Sequence, residues 1–355
     1  MMNRSTLVKM CCRTALPLLL GITAVSCSTR SHRPALPPPA RYEFTDAQMG
    51  VPWRIVLYAR DTNSAARAAR AAFSRVAALN QVLSDYETDS ELNRLCYQSG
   101  SGRPVRVGDD LWQVLSRAHL LARQTGGAFD PTVGPVAALW RKARRESSLP
   151  NAALLEELLL RVGYENMVLF PETQSVELLV KDMRLDLGGI AKGYALDEAL
   201  KTIQRNGITR ALISAGGDMV AGEAPPDRKG WRIEVAPLDV AQAPPTRFVW
   251  LRHMALATSG DLFQHLEIGG IRYSHIVDPR TGVGLTDRSL VTVIARTGMT
   301  ADSLATAVSV MGPREGLELV EETPYACAYI VRAPGQRLEA HASRRFPDYV
   351  VGPGE

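Results

Sequence analysis

Asp302 and Thr306 offer oxygen ligands at a spacing that could hold a metal ion. Residues four apart lie on one face of an α-helix, and apolar periodicity predicts a helix from residue 301 to about 311. A carboxylate and a hydroxyl suit a hard cation such as Mg²⁺, which takes further ligands from water and substrate phosphates. The alternative is structural, with Thr300 as the N-cap and Asp302 as an acid in the first turn. The residues alone leave both interpretations open.

The segment 184–197 predicts a short strand that ends at Asp186, a tight glycine turn and a helix. Gly188 and Gly189 lack a Cβ, so a ligand can approach the backbone closely. A helix N-terminus offers free N–H groups to an anion such as phosphate, and Lys192 adds a positive charge. Asp186 could orient a polar ligand or a cation. Alternatively the glycines serve packing alone, because the segment matches neither the dinucleotide motif nor the P-loop.

His275 is a candidate general base. It follows Ser274 and precedes a turn that contains Asp278 and Arg280. A histidine at this place could take a proton from an incoming hydroxyl near neutral pH. The alternative is a partly buried histidine that bonds to its own turn.

Two loop aromatics, Tyr86 and Phe129, could cover a planar ring, although single aromatic residues more often belong to a core. The small-residue turns 214–218 and 259–261 could press their backbone against a ligand. The sequence contains no H-E-x-x-H, no C-x-x-C and no G-x-S-x-G, so three common catalytic chemistries are excluded.

The N-terminus predicts export. Three basic residues and no acid precede an apolar run at 15–25, which is too short to span a bilayer comfortably. The run ends in Ala24-Val25-Ser26-Cys27, which resembles a bacterial lipoprotein cleavage site, so Cys27 would carry lipid. We expect a lipid-anchored protein on the periplasmic face of a bacterial membrane. An ordinary signal peptide and a retained membrane anchor are the alternatives.

Composition excludes a nucleic-acid surface. The net charge is +4, and the signal supplies most of it, whereas nucleic-acid binding needs a concentrated basic face. Cys96 and Cys327 remain after processing; they could pair in an oxidising compartment or stay free.

Strands and helices mix without strict alternation, which predicts an α+β fold: one globular unit with a mixed, mostly antiparallel sheet flanked by helices. We expect a signal peptide at 1–27, a Pro-rich tether at 28–44, the folded domain at 45–335 and a tail at 336–355. Periodicity predicts helices that include 151–162, 301–311 and 313–320, an irregular loop at 128–134 and a strand at 183–186.

Eight blocks occur along the chain in this order: MGVPWRI, LSDYETDSELNRL, TGGAFDPTVGP, LDLGGIAKGYALD, SAGGD, ATSGD, SHIVDPRTG and ADSLATAVSVMG. In sequence and order they resemble the ApbE family of FAD:protein FMN transferases, and the resemblance covers residues 49–312. Val51 and Ser214 differ from the residues usual in that family.

The resemblance implies a role for each matched position. Magnesium would be held by Asp302, Thr306 and a backbone oxygen near Gly189. His275 would lie near the transferred phosphoryl group, with Ile276 beside the flavin. The remaining matched residues would line the FAD site: Met49, Tyr86, Ala128, Phe129, Asp130, Asp186 and Lys192.

The resemblance also implies a reaction. FAD would be split at its pyrophosphate, FMN would pass to a threonine of a partner protein as a phosphoester, and AMP would leave. Flavin-bearing subunits of NADH:quinone oxidoreductases and Rnf-type complexes would be the partners. Such a transfer needs positioning and charge neutralisation, which Mg²⁺ and Lys192 could supply. The alternatives are an FAD pyrophosphatase that gives FMN and AMP, and a flavin-binding lipoprotein without catalysis.

Overall fold

A computed structural model describes residues 38–238, 247–260 and 265–352, and it assigns helices and strands throughout these ranges. The described helices are α1 (Thr62–Leu83), α2 (Glu91–Cys96), α3 (Asp109–Gln124), α4 (Gly134–Glu146), α5 (Ala152–Leu159), α6 (Ala191–Arg205) and α7 (Gly298–Glu322). The described strands are β1 (Ala40–Gln48), β2 (Val51–Ala59), β3 (Val105–Arg106), β4 (Met167–Phe170), β5 (Ser175–Leu178), β6 (Ala211–Ala215), β7 (Asp218–Ala221), β8 (Trp231–Val235), β9 (Arg247–Leu251), β10 (Ala255–Gly260), β11 (His265–Ile268), β12 (Ile271–Ser274), β13 (Val277–Asp278), β14 (Val283–Gly284), β15 (Ser289–Ala295), β16 (Cys327–Arg332) and β17 (Glu339–Ala342).

Eight strands form the main sheet in the order β1-β2-β6-β7-β10-β15-β16-β17. Every pairing of neighbours in it is antiparallel. The predicted α+β fold with a mostly antiparallel sheet is therefore confirmed.

The sheet separates two hydrophobic cores, because successive side chains of a strand point to opposite faces. In β2, Trp53, Ile55 and Leu57 enter the larger core, which α1, α6 and α7 cover. Val56 points to the other face and joins a smaller core under the β8–β9 hairpin. α1, α6 and α7 thus lie on the same face of the sheet.

Both predicted limits of the folded domain need correction. β1 begins at Ala40, inside the predicted tether 28–44, because Tyr42 and Phe44 pack against the larger core. At the other end, β17 extends the main sheet inside the predicted tail 336–355. Phe346 is buried there, and its ring stacks on Tyr329 with 5.1 Å between centroids. Most of the predicted signal and tether, including Cys27, lies outside the described residues.

Three helical predictions also change. α4 begins at Gly134, where only the end of a loop was predicted, and Pro135 is compatible with it because a first-turn proline needs no N–H partner. α5 is shorter than the predicted 151–162. The two predicted helices 301–311 and 313–320 are halves of α7, separated by Gly312 at φ 76°.

The predicted strand 183–186 makes only one isolated parallel bridge, between Arg184 and Val133. Cys96 and Cys327 are both buried and free, so they do not pair. No helix in the described part of the chain is long and apolar enough to cross a membrane.

Candidate active site

The site is built where α6 and α7 cross. Gly193 and Gly298 face each other there, and a Cβ added to Gly193 would lie 2.1 Å from the Gly298 carbonyl oxygen. No other residue type fits at that distance, so the glycines let the two helix backbones touch. The contact brings Lys192 of α6 beside Asp302 of α7.

Asp302 is a buried carboxylate with partners on α6. Asp302 is only 3% exposed. Oδ2 accepts a hydrogen bond from the Gly193 backbone N–H at 2.9 Å, and Oδ1 lies 3.8 Å from Lys192 Nζ. Burial raises the pKa of Asp302 to about 7; the Lys192 charge opposes that rise and the Asp218 charge adds to it. The alternative interpretation, with Thr300 as the N-cap, is wrong in that detail, because Thr297 is the N-cap of α7.

Asp218, at the start of β7, belongs to the turn 214–218, for which sequence reasoning considered the backbone and not this side chain. Lys192 Nζ donates to Asp218 Oδ2, and Asp218 Oδ1 accepts from the Thr258 backbone N–H at 3.1 Å. Burial alone would lower the pKa of Lys192, but Asp302 and Asp218 outweigh it and raise that pKa. The Lys192 charge is therefore compensated by two carboxylates instead of standing free at a helix N-terminus.

Thr306 and Gly189 meet at the same place. A Cβ on Gly189 would lie 2.8 Å from Thr306 Oγ1, so the missing side chain lets the hydroxyl approach the glycine backbone. The Ser259 and Thr306 hydroxyl oxygens are 3.4 Å apart. These donors are all oxygen atoms, which fits a hard cation such as Mg²⁺. Within the described residues no group of three or more His, Cys, Asp or Glu side chains could hold a metal, so a site here would combine one carboxylate with hydroxyl and backbone oxygens.

A second cluster forms around Arg141 of α4, which sequence reasoning also missed. Its guanidinium bridges two loop carboxylates, Asp85 at 2.6 Å and Asp186 at 2.8 Å. It also lies 4.8 Å from the centroid of the Tyr86 ring, and Tyr86 is 74% exposed. Burial and the Asp186 charge raise the pKa of Asp85, against the opposite effect of Arg141. The structure thus joins Tyr86 to Asp186 through a helix that the sequence pattern did not reveal.

The second oxygen of Asp186 connects this cluster to the glycine turn. Asp186 Oδ1 accepts from the Gly188 backbone N–H at 2.8 Å. Gly188 is followed by Gly189 and α6, so the two clusters lie at the two ends of one short segment.

The segment 128–130 uses its side chains internally. Phe129 is only 5% exposed and packs in the larger core, so it is a core aromatic and not a ring cover. The Asp130 carboxylate accepts from the Thr132 backbone and hydroxyl and from the Tyr164 backbone N–H. Burial raises the pKa of Asp130, and the Thr132 bonds oppose that rise. Ala128 is also buried, which leaves the backbone of this segment as the part that a ligand could contact.

Met49 lies in the turn between β1 and β2, with φ 49°, and is partly buried against the larger core. His275 lies between β12 and β13 and is exposed, so the alternative of a partly buried histidine does not hold. Ile276 beside it is buried, and its N–H donates to Ser274 Oγ at 3.0 Å. Tyr273 packs on Trp140, the residue before Arg141, at 5.3 Å between centroids. The His275 segment and the Arg141 cluster are thus supported by the same helix.

The main sheet is antiparallel, and α6 and α7 cross on one face of it; similarity to known proteins agrees with this fold. The model of the ApbE family matches residues 49–331, and the chain belongs to that family. A Vibrio cholerae protein named FAD:protein FMN transferase is 32% identical over 275 residues, which cover 77% of this chain and 81% of the relative. A Klebsiella pneumoniae protein of the same name is 27% identical over 324 residues, 90% of this chain and 92% of the relative. The solved structure of the flavin transferase ApbE from Vibrio cholerae superposes with a TM-score of 0.78 at 27% identity, and the match covers 88% of this chain and all of that one.

Proposed function

We propose that this enzyme is an FAD:protein FMN transferase that uses Mg²⁺. It transfers FMN from FAD to a threonine of a partner flavoprotein subunit through a phosphoester bond, and AMP is released. The relatives that carry this name cover most of the chain. The observation that carries the proposal is the set of oxygen donors from Asp302, Thr306 and the Gly189 backbone where α6 and α7 cross.

Those three groups would hold the cation. Asp302 Oδ2 is occupied by Gly193, so Oδ1 is the oxygen that can turn to a metal. A bound Mg²⁺ supplies positive charge to the pyrophosphate of FAD and makes AMP a better leaving group. Lys192, which donates to Asp218, adds positive charge near the pyrophosphate although that charge is already paired.

The cluster of Tyr86, Arg141 and Asp186, in which the Tyr86 ring is exposed, is the part that receives FAD. Loops on a rigid scaffold commonly carry binding residues, and the Tyr86 ring is open to a planar partner. Met49, the backbone of 128–130 and Ile276 complete this proposed site.

His275 takes the proton of the acceptor threonine. The threonine Oγ1 forms the new bond to the FMN phosphorus. The P–O bond between that phosphorus and AMP breaks, and AMP leaves with the electron pair. Phosphoryl transfer depends mainly on the positioning of the reacting groups. The nucleophile is the threonine of the partner, so the enzyme needs no activated Ser or Cys of its own. Exposure of His275 suits a base that must meet a side chain from another protein.

The partners are flavin-acceptor subunits of NADH:quinone oxidoreductase or Rnf-type complexes. The N-terminal sequence supports a periplasmic lipoprotein anchored through Cys27. One acyl chain binds a membrane weakly and several bind it firmly, so Cys27→Ser should release the protein. A Cys27→Ser protein that is processed and membrane-bound like the wild type would contradict the anchor.

The deciding experiment measures AMP. Purified protein is incubated with FAD and Mg²⁺, with and without an acceptor peptide that contains threonine. A transferase releases AMP only with the peptide, and the peptide gains the mass of FMN. AMP in both reactions would identify a pyrophosphatase, and FAD binding without AMP would identify a flavin-binding protein.

A further inference from the structure

Asp197 of α6 reaches across to the first turn of α7. Its Oδ1 accepts from the Gly298 backbone N–H at 2.7 Å, and its Oδ2 accepts from the Met299 N–H at 3.0 Å. These are the first two residues of α7. The first N–H groups of a helix have no partner inside it, so a carboxylate from another helix can satisfy them.

Asp302 makes the reciprocal contact. It belongs to α7, and its Oδ2 accepts from the N–H of Gly193, the third residue of α6. Each helix therefore supplies a carboxylate to the N-terminal turn of the other. The glycine contact between them is equally reciprocal, because a Cβ on Gly298 would lie 2.4 Å from the Gly193 carbonyl oxygen.

The α7 N-terminus has a second, independent cap. Thr297 accepts from the Thr300 N–H at 3.2 Å through its side chain, and from the Ala301 N–H at 3.0 Å through its carbonyl. Thr297 thus acts within α7, whereas Asp197 ties α7 to α6. This difference separates stabilisation of one helix from the alignment of two.

We propose that Asp197 is a positioning residue for the cation site. It fixes where α7 starts relative to α6, and so it holds the Asp302 carboxylate at Gly193 and Thr306 at Gly189. Asp302 lies one turn beyond Gly298, and Thr306 lies one further turn along the same face. A small slide or rotation of α7 would move both ligands away from the α6 turn. This inference rests on the proposed Mg²⁺-dependent transfer.

Two matched variants test it, Asp197→Asn and Thr297→Ala. Each removes acceptors from the same end of α7, but only the first weakens the link to α6, since one side-chain oxygen of Asp197 is replaced by an NH₂ group. The readouts are the Mg²⁺ concentration for half-maximal FMN transfer, hydrogen exchange of the Gly193 amide without metal, and FAD affinity.

We expect Asp197→Asn to raise the Mg²⁺ requirement by roughly 10–100-fold, the usual loss when the support of a metal ligand is removed. Exchange of the Gly193 amide should accelerate, because that N–H bonds to Asp302. FAD affinity should stay within a few-fold. Thr297→Ala should leave the Mg²⁺ requirement and Gly193 exchange as in the wild type, even where it lowers thermal stability.

Wild-type Mg²⁺ requirement and wild-type Gly193 exchange in folded Asp197→Asn would overturn the proposal, as would equal effects of both variants. If Asp197→Asn does not fold, Asp197→Ser, which keeps one acceptor oxygen, is judged by the same readouts. A wild-type protein without Mg²⁺-dependent transfer would instead overturn the proposed function, while Gly193 exchange would still decide whether Asp197 positions Asp302.

Discussion

The crossing of α6 and α7 and the cluster around Arg141 use carboxylates in opposite ways. At the crossing, Asp197 and Asp302 bond to backbone N–H groups of helices that touch through glycines. In the Arg141 cluster, two loop carboxylates share one guanidinium beneath an exposed tyrosine ring. In the first arrangement the carboxylates bond to backbone, whereas in the second they bond mainly to one side chain, and the neighbouring Tyr86 ring is exposed.

We expect the two regions to have different roles, metal binding at the helix crossing and FAD binding at the Arg141 cluster. Ligands for a small cation must be held at fixed distances, which a backbone-locked helix pair can do. A large ligand needs an accessible surface with adaptable side chains, which loops provide. Variants at the crossing should therefore change the metal requirement, and variants in the open region should change FAD binding or reaction with the acceptor.

The largest effect is expected from Asp302→Asn. Loss of one ligand charge should abolish Mg²⁺-dependent FMN transfer, and Lys192 would keep only the Asp218 carboxylate. Because Asp302 is buried and hydrogen-bonded, we also expect a stability loss of about 1–3 kcal/mol. Transfer assays at limiting and saturating Mg²⁺ measure the first effect, and chemical unfolding measures the second.

Glu318→Gln is the control for Asp302→Asn, since Glu318 is exposed on the second half of the same helix. Full activity of Asp302→Asn at limiting Mg²⁺ would place the metal elsewhere.

The next largest effect is expected from His275→Ala. Loss of a general base typically slows a reaction by roughly 10²–10⁴-fold, and single-turnover FMN transfer should fall by that factor. FAD affinity and thermal stability should change little, because His275 is exposed. Arg280→Ala, in the following turn, is the control. Transfer within a few-fold of the wild type would remove His275 from the mechanism.

Arg141→Ala should have a moderate effect of a different kind. Asp85 and Asp186 would lose their shared cation, so FAD affinity should fall by roughly tenfold, or about 1.4 kcal/mol. Arg141→Lys should recover only part of it, since an ammonium group lacks the planar fork that reaches both carboxylates. Arg145→Ala, exposed on the same helix, is the control. A raised Mg²⁺ requirement instead of weaker FAD binding would contradict the division between the two regions.

The smallest effect is a change in pH dependence. Burial raises the pKa of Asp197 from 3.8 to about 6, although the bonds from Met299 and Gly298 oppose that rise. The folded state then binds more protons than the unfolded state between about pH 4 and 6, so this contribution to stability falls as pH rises through that window. The Lys201 charge lowers the Asp197 pKa and the Glu198 charge raises it, so these two neighbours act on that pKa in opposite directions.

Asp197→Asn removes this titration, and its free energy of unfolding should fall less steeply than that of the wild type from pH 4 to 6. Urea unfolding across that range measures the slope. An unchanged slope would show that Asp197 titrates at its ordinary pKa.

The sequence alone determined the features that depend on local geometry. The spacing of Asp302 and Thr306 places them on one helix face whatever surrounds them. The glycines of 188–189 predict a turn before a helix, and α6 follows that turn. The mixing of strands and helices without strict alternation predicted the mostly antiparallel α+β fold, which the sheet confirms.

Only the tertiary structure decided how the charges are paired. Lys192 meets Asp218 because β7 and α6 pack together, and no local period relates those two positions. α4 was missed because Pro131 and Gly134 of the loop 128–134 were interpreted as helix breakers, so Arg141 was missed with it. The sequence places Asp197 on α6 but does not show its hydrogen bonds to the first turn of α7. Local periodicity fixes which residues share a face, but which faces meet depends on the packing of the whole core.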